Sequence, residues 1–236
     1  MLLYYIDNEV AAFGEWDSVV EAGSSTIVQS GDAAFPERGA VGLRADIVNG
    51  ANAYVRKDFA AQSTLYAGLW LYLHSGYSVG SGSGKPIVLC GDSGAASGTW
   101  LLYLQWYDSK WWICVYDYAV GAYPLVHMPI DRWTYLVGGV HRAAGTGWLA
   151  LWMDGALMGQ NTGRNNAGTI DNLRVGNSYG NADVYALTLD IDEIKIATSL
   201  TGTERYRPWR QGAAVAAAQP PAILPTMIGA WRRCRR

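Results

Sequence analysis

Apolar and polar residues alternate with period two along most of this chain, and clusters of Gly, Asn, Asp and Ser interrupt the alternation at short intervals. Successive side chains on a strand point to opposite faces, so this pattern predicts short β-strands joined by tight turns. The segments that read as strands are 39–47, 51–59, 64–74, 99–107, 111–118, 132–140, 147–153, 169–175 and 184–197. No long segment repeats its apolar residues at helical spacing. From Ser75 to Gly98 the chain is rich in Gly and Ser, broken only by Pro86 to Cys90, which predicts loops flanking one short strand.

The alternation also assigns faces. In 64–74, Leu65, Leu69, Leu71 and Leu73 are expected in the core, with Tyr66, Trp70, Tyr72 and His74 on the opposite face. In 147–153, Leu149, Leu151 and Met153 oppose Trp148 and Trp152. In 99–107, Tyr103, Gln105 and Tyr107 face away from Trp100, Leu102, Leu104 and Trp106, although both faces are apolar enough to reverse the assignment. One sheet is therefore expected to display Trp70, Tyr72, His74, Tyr103, Gln105, Tyr107, Trp148 and Trp152 on its outer surface. Flat rings cover the apolar side of a sugar while Gln, Arg or His donors meet its hydroxyls, so these eight residues are the candidate glycan face. Cover by the tail, a loop or another subunit would suit the same surface, because Tyr and Trp are enriched at protein interfaces.

Composition narrows the class. The 236 residues suffice for one large sandwich, half of them hydrophobic and 16% charged, with 28 Gly, 11 Trp and 15 Tyr. The net charge is −2, yet four arginines stand in the last five positions, leaving an acidic body. An acidic body lacks the basic groove that neutralises phosphates, so no nucleic-acid contact through it is expected. Cys90, Cys114 and Cys234 form neither a zinc pattern nor a disulfide framework, with a single Cys90–Cys114 bridge left open. Met1 to Asp7 has no basic start before its apolar run and meets a carboxylate early, unlike a signal peptide. No stretch approaches the roughly 18 apolar residues of a membrane span. From Gly212 an Ala-rich run leads into Pro220-Pro221 and then Ile223, Leu224, Met227, Ile228, Trp231, Arg232 and Arg233. The paired prolines prevent a continuous helix, so 212–236 is expected to be an extended arm attached to a 1–211 sandwich. The arm is too apolar for a solvated linker, and is expected to dock on its own domain or on another subunit.

Residues 133–137 (Trp-Thr-Tyr-Leu-Val), 151–159 (Leu-Trp-Met-Asp-Gly-Ala-Leu-Met-Gly), 173–177 (Leu-Arg-Val-Gly-Asn) and 191–196 (Ile-Asp-Glu-Ile-Lys-Ile) follow one another in a telling order. Together with 39–43 and 53–59 they resemble the concanavalin A-like lectin and laminin G-like jelly-roll superfamily. That resemblance implies an all-β, two-sheet antiparallel jelly-roll sandwich. Asp154-Gly155 fits it physically, since this pair tolerates the positive φ of a tight hairpin turn. The resemblance also implies possible Ca²⁺ sites in loops, for which Asp92, Asp154, Asp171 or Asp183 could serve, beside the alternative of turn-forming Asp. It does not imply a function, because the fold serves lectins, hydrolases, lyases and viral proteins alike.

Three apparent motifs lack their context. Cys90-Gly91-Asp92-Ser93-Gly94 imitates a serine-protease nucleophile without the upstream His and Asp. Gly80 to Lys85 lacks the spacing of a phosphate loop. On the 184–197 strand, Asp190 and Asp192 share a face, Glu193 is expected to point the other way, and only the two Asp could form a glycosidase pair. The sequence therefore leads to the expectation of a non-catalytic structural or adhesion protein of a virion or other surface assembly. In that reading the arm contacts other subunits and the aromatic face recognises glycans. The alternative is a stand-alone carbohydrate-binding lectin module, and a polysaccharide hydrolase or lyase is a distant third.

Overall fold

A computed structural model describes residues 1–36, 39–80, 84–91, 99–117, 121–165, 167–178 and 184–200. The arm residues Ile223, Leu224, Met227, Ile228, Trp231, Arg232 and Arg233, and the loop residues Asp92 and Asp183, lie outside these. The described strands in chain order are β1 (Leu2–Ile6), β2 (Ser18–Glu21), β3 (Thr26–Ser30), β4 (Gly42–Val48), β5 (Ala53–Gln62), β6 (Thr64–Leu73), β7 (Ser78–Val79) and β8 (Gly84–Gly91). They continue with β9 (Thr99–Tyr107), β10 (Lys110–Asp117), β11 (Gly121–His127), β12 (Trp133–His141), β13 (Gly147–Met153), β14 (Ala156–Arg164), β15 (Ile170–Asn177) and β16 (Val184–Ala197). Short 3-10 turns occupy Ala11–Phe13 and Gly31–Ala33.

The strands form a two-sheet antiparallel jelly-roll sandwich. The larger sheet runs β14-β13-β12-β6-β16-β4-β3, with β1 and β7 also paired to β16, and the smaller runs β11-β10-β9-β8-β15-β5-β2. The aliphatic halves of the alternating strands meet between the sheets. Leu65, Leu69, Leu71 and Leu73 of β6 are fully buried there with Leu149 and Leu151 of β13, Leu102 and Leu104 of β9, and Leu173 and Val175 of β15. Each such side chain contributes about 1.5–3 kcal/mol on burial, which fixes the register, because a slip of one residue would turn the whole row outward. Between the sheets, Gly138 of β12 lies against the carbonyl of Leu101 on β9, and a Cβ there would collide with that oxygen.

Several strands were not legible in the sequence, for physical reasons. β1, β2 and β3 are short and largely exposed on one or both faces, so they carry no clean alternation. β14 is an edge strand of Gly, Asn, Gln and Thr. β11 holds Pro124, which a central strand would reject but an edge strand accepts. The hairpin turn between β13 and β14 is the expected Asp154-Gly155 pair, with φ of 50° and 83°. Cys114 is a free thiol, fully buried, and burial pushes its pKa up.

Candidate functional site

The outer face of the larger sheet gathers the aromatic residues of three adjacent strands. β6 supplies Tyr66, Trp70 and Tyr72, β12 supplies Trp133, Tyr135 and His141, and β13 supplies Trp148 and Trp152. Register sets them side by side: Tyr135 opposite Trp70, Trp133 opposite Tyr72, His141 opposite Trp148, and Val137 opposite Trp152. Gly139 faces Tyr66 across the ladder, and a Cβ on it would stand 3.0–3.1 Å from the rings of Tyr66, Trp148 and Trp152. The missing side chain is what lets the three rings converge, with Tyr66 5.5 Å from Trp148 and 5.9 Å from Trp152 between centroids. All three are half-buried, so their outer edges and faces meet solvent. His141 stands beside them, 6.1 Å from Trp148 and 2.8 Å from the Thr64 hydroxyl. Burial raises the pKa of Tyr66.

The neighbouring part of the face is closed. Phe35, in the segment after the Gly31–Ala33 turn, stacks on Trp70 at 4.0 Å and 11° and meets Trp133 edge-on at 5.5 Å. Trp70 is thereby 6% exposed, so this ring of the candidate glycan face is sealed beneath Phe35. A carboxylate holds the seal: the Phe35 amide donates to Asp192 Oδ2 at 2.8 Å, and the Glu193 amide donates to Asp192 Oδ1 at 2.7 Å. Beside it, Asp190 accepts two bonds from Arg44, at 2.7 and 2.9 Å, and lies 2.7 Å from His74 Nε2. Tyr72 packs at 4.7 Å from that imidazole.

Glu193 corrects the sequence reading. It was expected on the face opposite Asp190 and Asp192, but β16 bulges between Asp192 and Lys195, with Glu193 at φ 48°. The extra residue resets the alternation, so Ile194 is buried in the core while Asp192 and Lys195 both lie on the outer side, opposite Trp70 and Gly68. Glu193 accepts a 3.2 Å bond from the Tyr5 hydroxyl, and Lys195 Nζ lies 5.9 and 5.8 Å from the rings of Tyr5 and Tyr135. Burial, then the charge of Glu193, push the Asp192 carboxyl up to about 6 against the pull of its two amide partners. The hydroxyl of Tyr135 is raised by the same two causes, burial first. The two aspartates are thus fully engaged, one by Arg44 and His74 and the other by backbone amides. Neither is open as half of a glycosidase pair.

The eight residues expected on one face divide between two sheets. Trp70, Tyr72, His74, Trp148 and Trp152 are on the larger sheet, whereas Tyr103, Gln105 and Tyr107 are on β9 of the smaller. Within β9 the outward assignment holds: Leu102 and Leu104 are buried, Tyr103 and Gln105 are half-buried and Tyr107 is exposed. Tyr103 meets Tyr116 there, at 5.6 Å. Sequence reasoning missed Phe35, Tyr66 as a partner of the two tryptophans, and Gly139, whose only sign was the Gly138-Gly139 pair inside a strand.

Of the calcium candidates, Asp154 accepts bonds from the Tyr135 amide and from Arg132, and Asp171 from Asn172. Among the described residues no three of His, Cys, Asp and Glu are grouped as metal ligands, and no helix is long and apolar enough to cross a membrane.

Neither a family model nor a curated protein sequence matches the chain. Solved structures do. The cellulose-induced protein Cip1 superposes with a TM-score of 0.56 at 13% identity, covering 77% of this chain and 92% of its own. Alginate lyase vAL-1 from Chlorella virus gives 0.52 at 11% identity, with 79% and 94% covered, and alginate lyase Aly36B gives 0.50 at 10%, with 67% and 81% covered. These likenesses show the fold, a sandwich that carbohydrate-related proteins use. They also correct the expectation of a non-catalytic chain, because two of these proteins are lyases on the same architecture. A search for motifs contiguous in sequence cannot exclude an enzyme on a sheet face, where the reacting groups come from strands far apart in the chain.

Proposed function

We propose that the outer face of the larger sheet binds polysaccharide, with Tyr66, Trp148 and Trp152 as the platform for a sugar ring and His141 and Thr64 as its polar neighbours. One observation carries this reading: three half-buried rings converge over Gly139, with hydrogen-bonding groups at their edge. Aromatic faces cover the apolar side of a sugar, and a few placed polar groups fix its orientation. The carbohydrate-related names of the structural neighbours support it at the level of fold. A free-standing module and a component of a larger surface assembly would use this face in the same way. The assembly role of the arm rests on residues outside the described ones.

The test is a binding panel that includes one acidic and one neutral polysaccharide, alginate and cellulose, with chain length analysed after incubation. Binding to at least one polymer is expected, weakened roughly tenfold by Trp152→Ala, equivalent to about 1.4 kcal/mol. Shortened chains would show that recognition is coupled to cleavage. No binding across the panel would overturn the proposal.

A further inference from the structure

The outer row of β6 is aromatic on both sides of the seal. Tyr66 belongs to the platform, Trp70 lies under Phe35, and Tyr72 follows, 5.6 Å from Trp133 of β12, with both of these rings half-buried. Along the strand, Tyr66 and Tyr72 stand on the order of 20 Å apart, longer than one sugar ring. Phe35 interrupts the row by stacking on Trp70 at 4.0 Å and 11°, the arrangement that a flat apolar face takes on an indole. Two polar groups belong to this position. Trp70 is buried, and among the described residues its indole N–H has no hydrogen-bond acceptor, although a buried indole N–H ordinarily finds one. Asp192, opposite Trp70 in the ladder, holds the Phe35 amide through Oδ2.

From these observations we infer that the Trp70 position is a further saccharide subsite, filled by Phe35 in the free protein and by a neutral sugar residue when a longer polysaccharide chain binds. The inference rests on the carbohydrate reading of this face. A sugar residue keeps the apolar contact with the Trp70 ring. Its hydroxyls also supply the acceptor that the indole N–H lacks, and a donor for Asp192 Oδ2 once the Phe35 amide leaves it; a phenyl ring supplies neither. The movement required is local. Ala33 is fully buried with its carbonyl against Gly42, which holds the preceding turn in place, whereas Ala34 and Phe35 are half-buried. Charge selects the class of sugar. Asp190, Asp192 and Glu193 stand along this stretch of β16 against Arg44 and Lys195, three carboxylates facing two cations. A uronate would bring a further carboxylate beside Asp192, while a neutral hydroxyl donates to it.

The test uses the full chain at neutral pH with cellohexaose as the neutral probe and an alginate hexasaccharide as the acidic one. Intermolecular NOEs from cellohexaose should reach the indole rings of both Trp152 and Trp70 in the native chain. Phe35→Ala should bind cellohexaose severalfold more tightly than the native chain, because the sugar no longer displaces a ring. Adding Trp70→Phe, which keeps an apolar ring and removes the donor, should abolish that gain. The native-chain NOEs decide the question even where Phe35→Ala is poorly folded. NOEs to Trp152 without any to Trp70, or a folded Phe35→Ala that binds no more tightly, would overturn the subsite and leave the platform of Tyr66, Trp148 and Trp152 intact. NOEs to Trp70 from the alginate hexasaccharide but not from cellohexaose would overturn it as well. Silence of both tryptophans with both probes would overturn the subsite together with the carbohydrate reading.

Discussion

Gly138 and Gly139 are adjacent on β12 and have opposite duties. Gly138 faces the other sheet, where a Cβ would strike the Leu101 carbonyl, and a backbone atom in a closed sheet cannot move aside cheaply. Gly138→Ala should therefore lose about 1–3 kcal/mol of stability, read as a lower urea midpoint with an unchanged slope. Gly139 faces outward, where the obstructing atoms are ring edges of Tyr66, Trp148 and Trp152 that can swing apart. Gly139→Ala should change stability by less than about 1 kcal/mol, yet weaken polysaccharide binding as Trp152→Ala does, because the platform is splayed. Asp192 makes a prediction in pH. In the fold its carboxyl holds a proton up to about 6, against 3.8 for the free group, so between those values the folded state binds a proton that the unfolded state has released. The stability this contributes is full below 3.8 and is lost as pH rises through about 6. Asp192→Asn removes that loss, so the stability of the variant relative to the native chain should rise on going from acid to neutral pH, by an amount on the order of 2–3 kcal/mol. Paired urea titrations below and above this window check it, and a difference that stays flat or changes with the opposite sign would contradict the raised carboxyl.

Among the elements, β16 decides the most. It is central in the larger sheet, and its bulge at Glu193 divides two rows of opposite phase. Before the bulge, Leu187, Leu189 and Ile191 point inward; after it, Ile194 and Ile196 do. Deleting Glu193 would remove the extra residue and set Ile194 directly after Asp192, so that plain alternation keeps Ile191, Ile194 and Ile196 inward, and the cooperative melt should survive the deletion. Glu193→Gly keeps the positive φ at no steric cost and removes a carboxylate whose Oε2 is buried without a hydrogen bond. Its melting temperature should match or exceed that of the native chain despite the lost Tyr5 bond. A Gly variant much less stable than the native chain would mean that the Glu193 side chain, not the backbone phase, is what matters. The strand itself was legible in the sequence because its apolar residues are numerous, and its phase change was not, because a bulge is set by the partner strands β6 and β1.

Over the whole molecule, the two aromatic surfaces lie on opposite sides of the sandwich. Tyr103 and Tyr107 cannot contribute to a ligand seated on Tyr66, Trp148 and Trp152. Tyr103→Ala should thus leave polysaccharide affinity unchanged while Trp152→Ala weakens it, in the same binding assay. An equal loss from both would indicate a ligand that wraps the molecule or a general loss of fold, which circular dichroism separates.

Period-two alternation in the chain was enough for the all-β class, for most central strands and for which side of each faces the core, because these depend on a residue's neighbours along one strand. The Asp154-Gly155 turn was legible for the same local reason. Which strands lie side by side is a property of the folded sheet, and it was the tertiary structure that put β9 in one sheet and β6 and β13 in the other. Sealing of Trp70 by Phe35, convergence of three rings over Gly139, and capture of Asp190 by Arg44 and His74 likewise join residues distant in sequence. Such contacts arise from packing across strands, for which a one-dimensional pattern carries no signal.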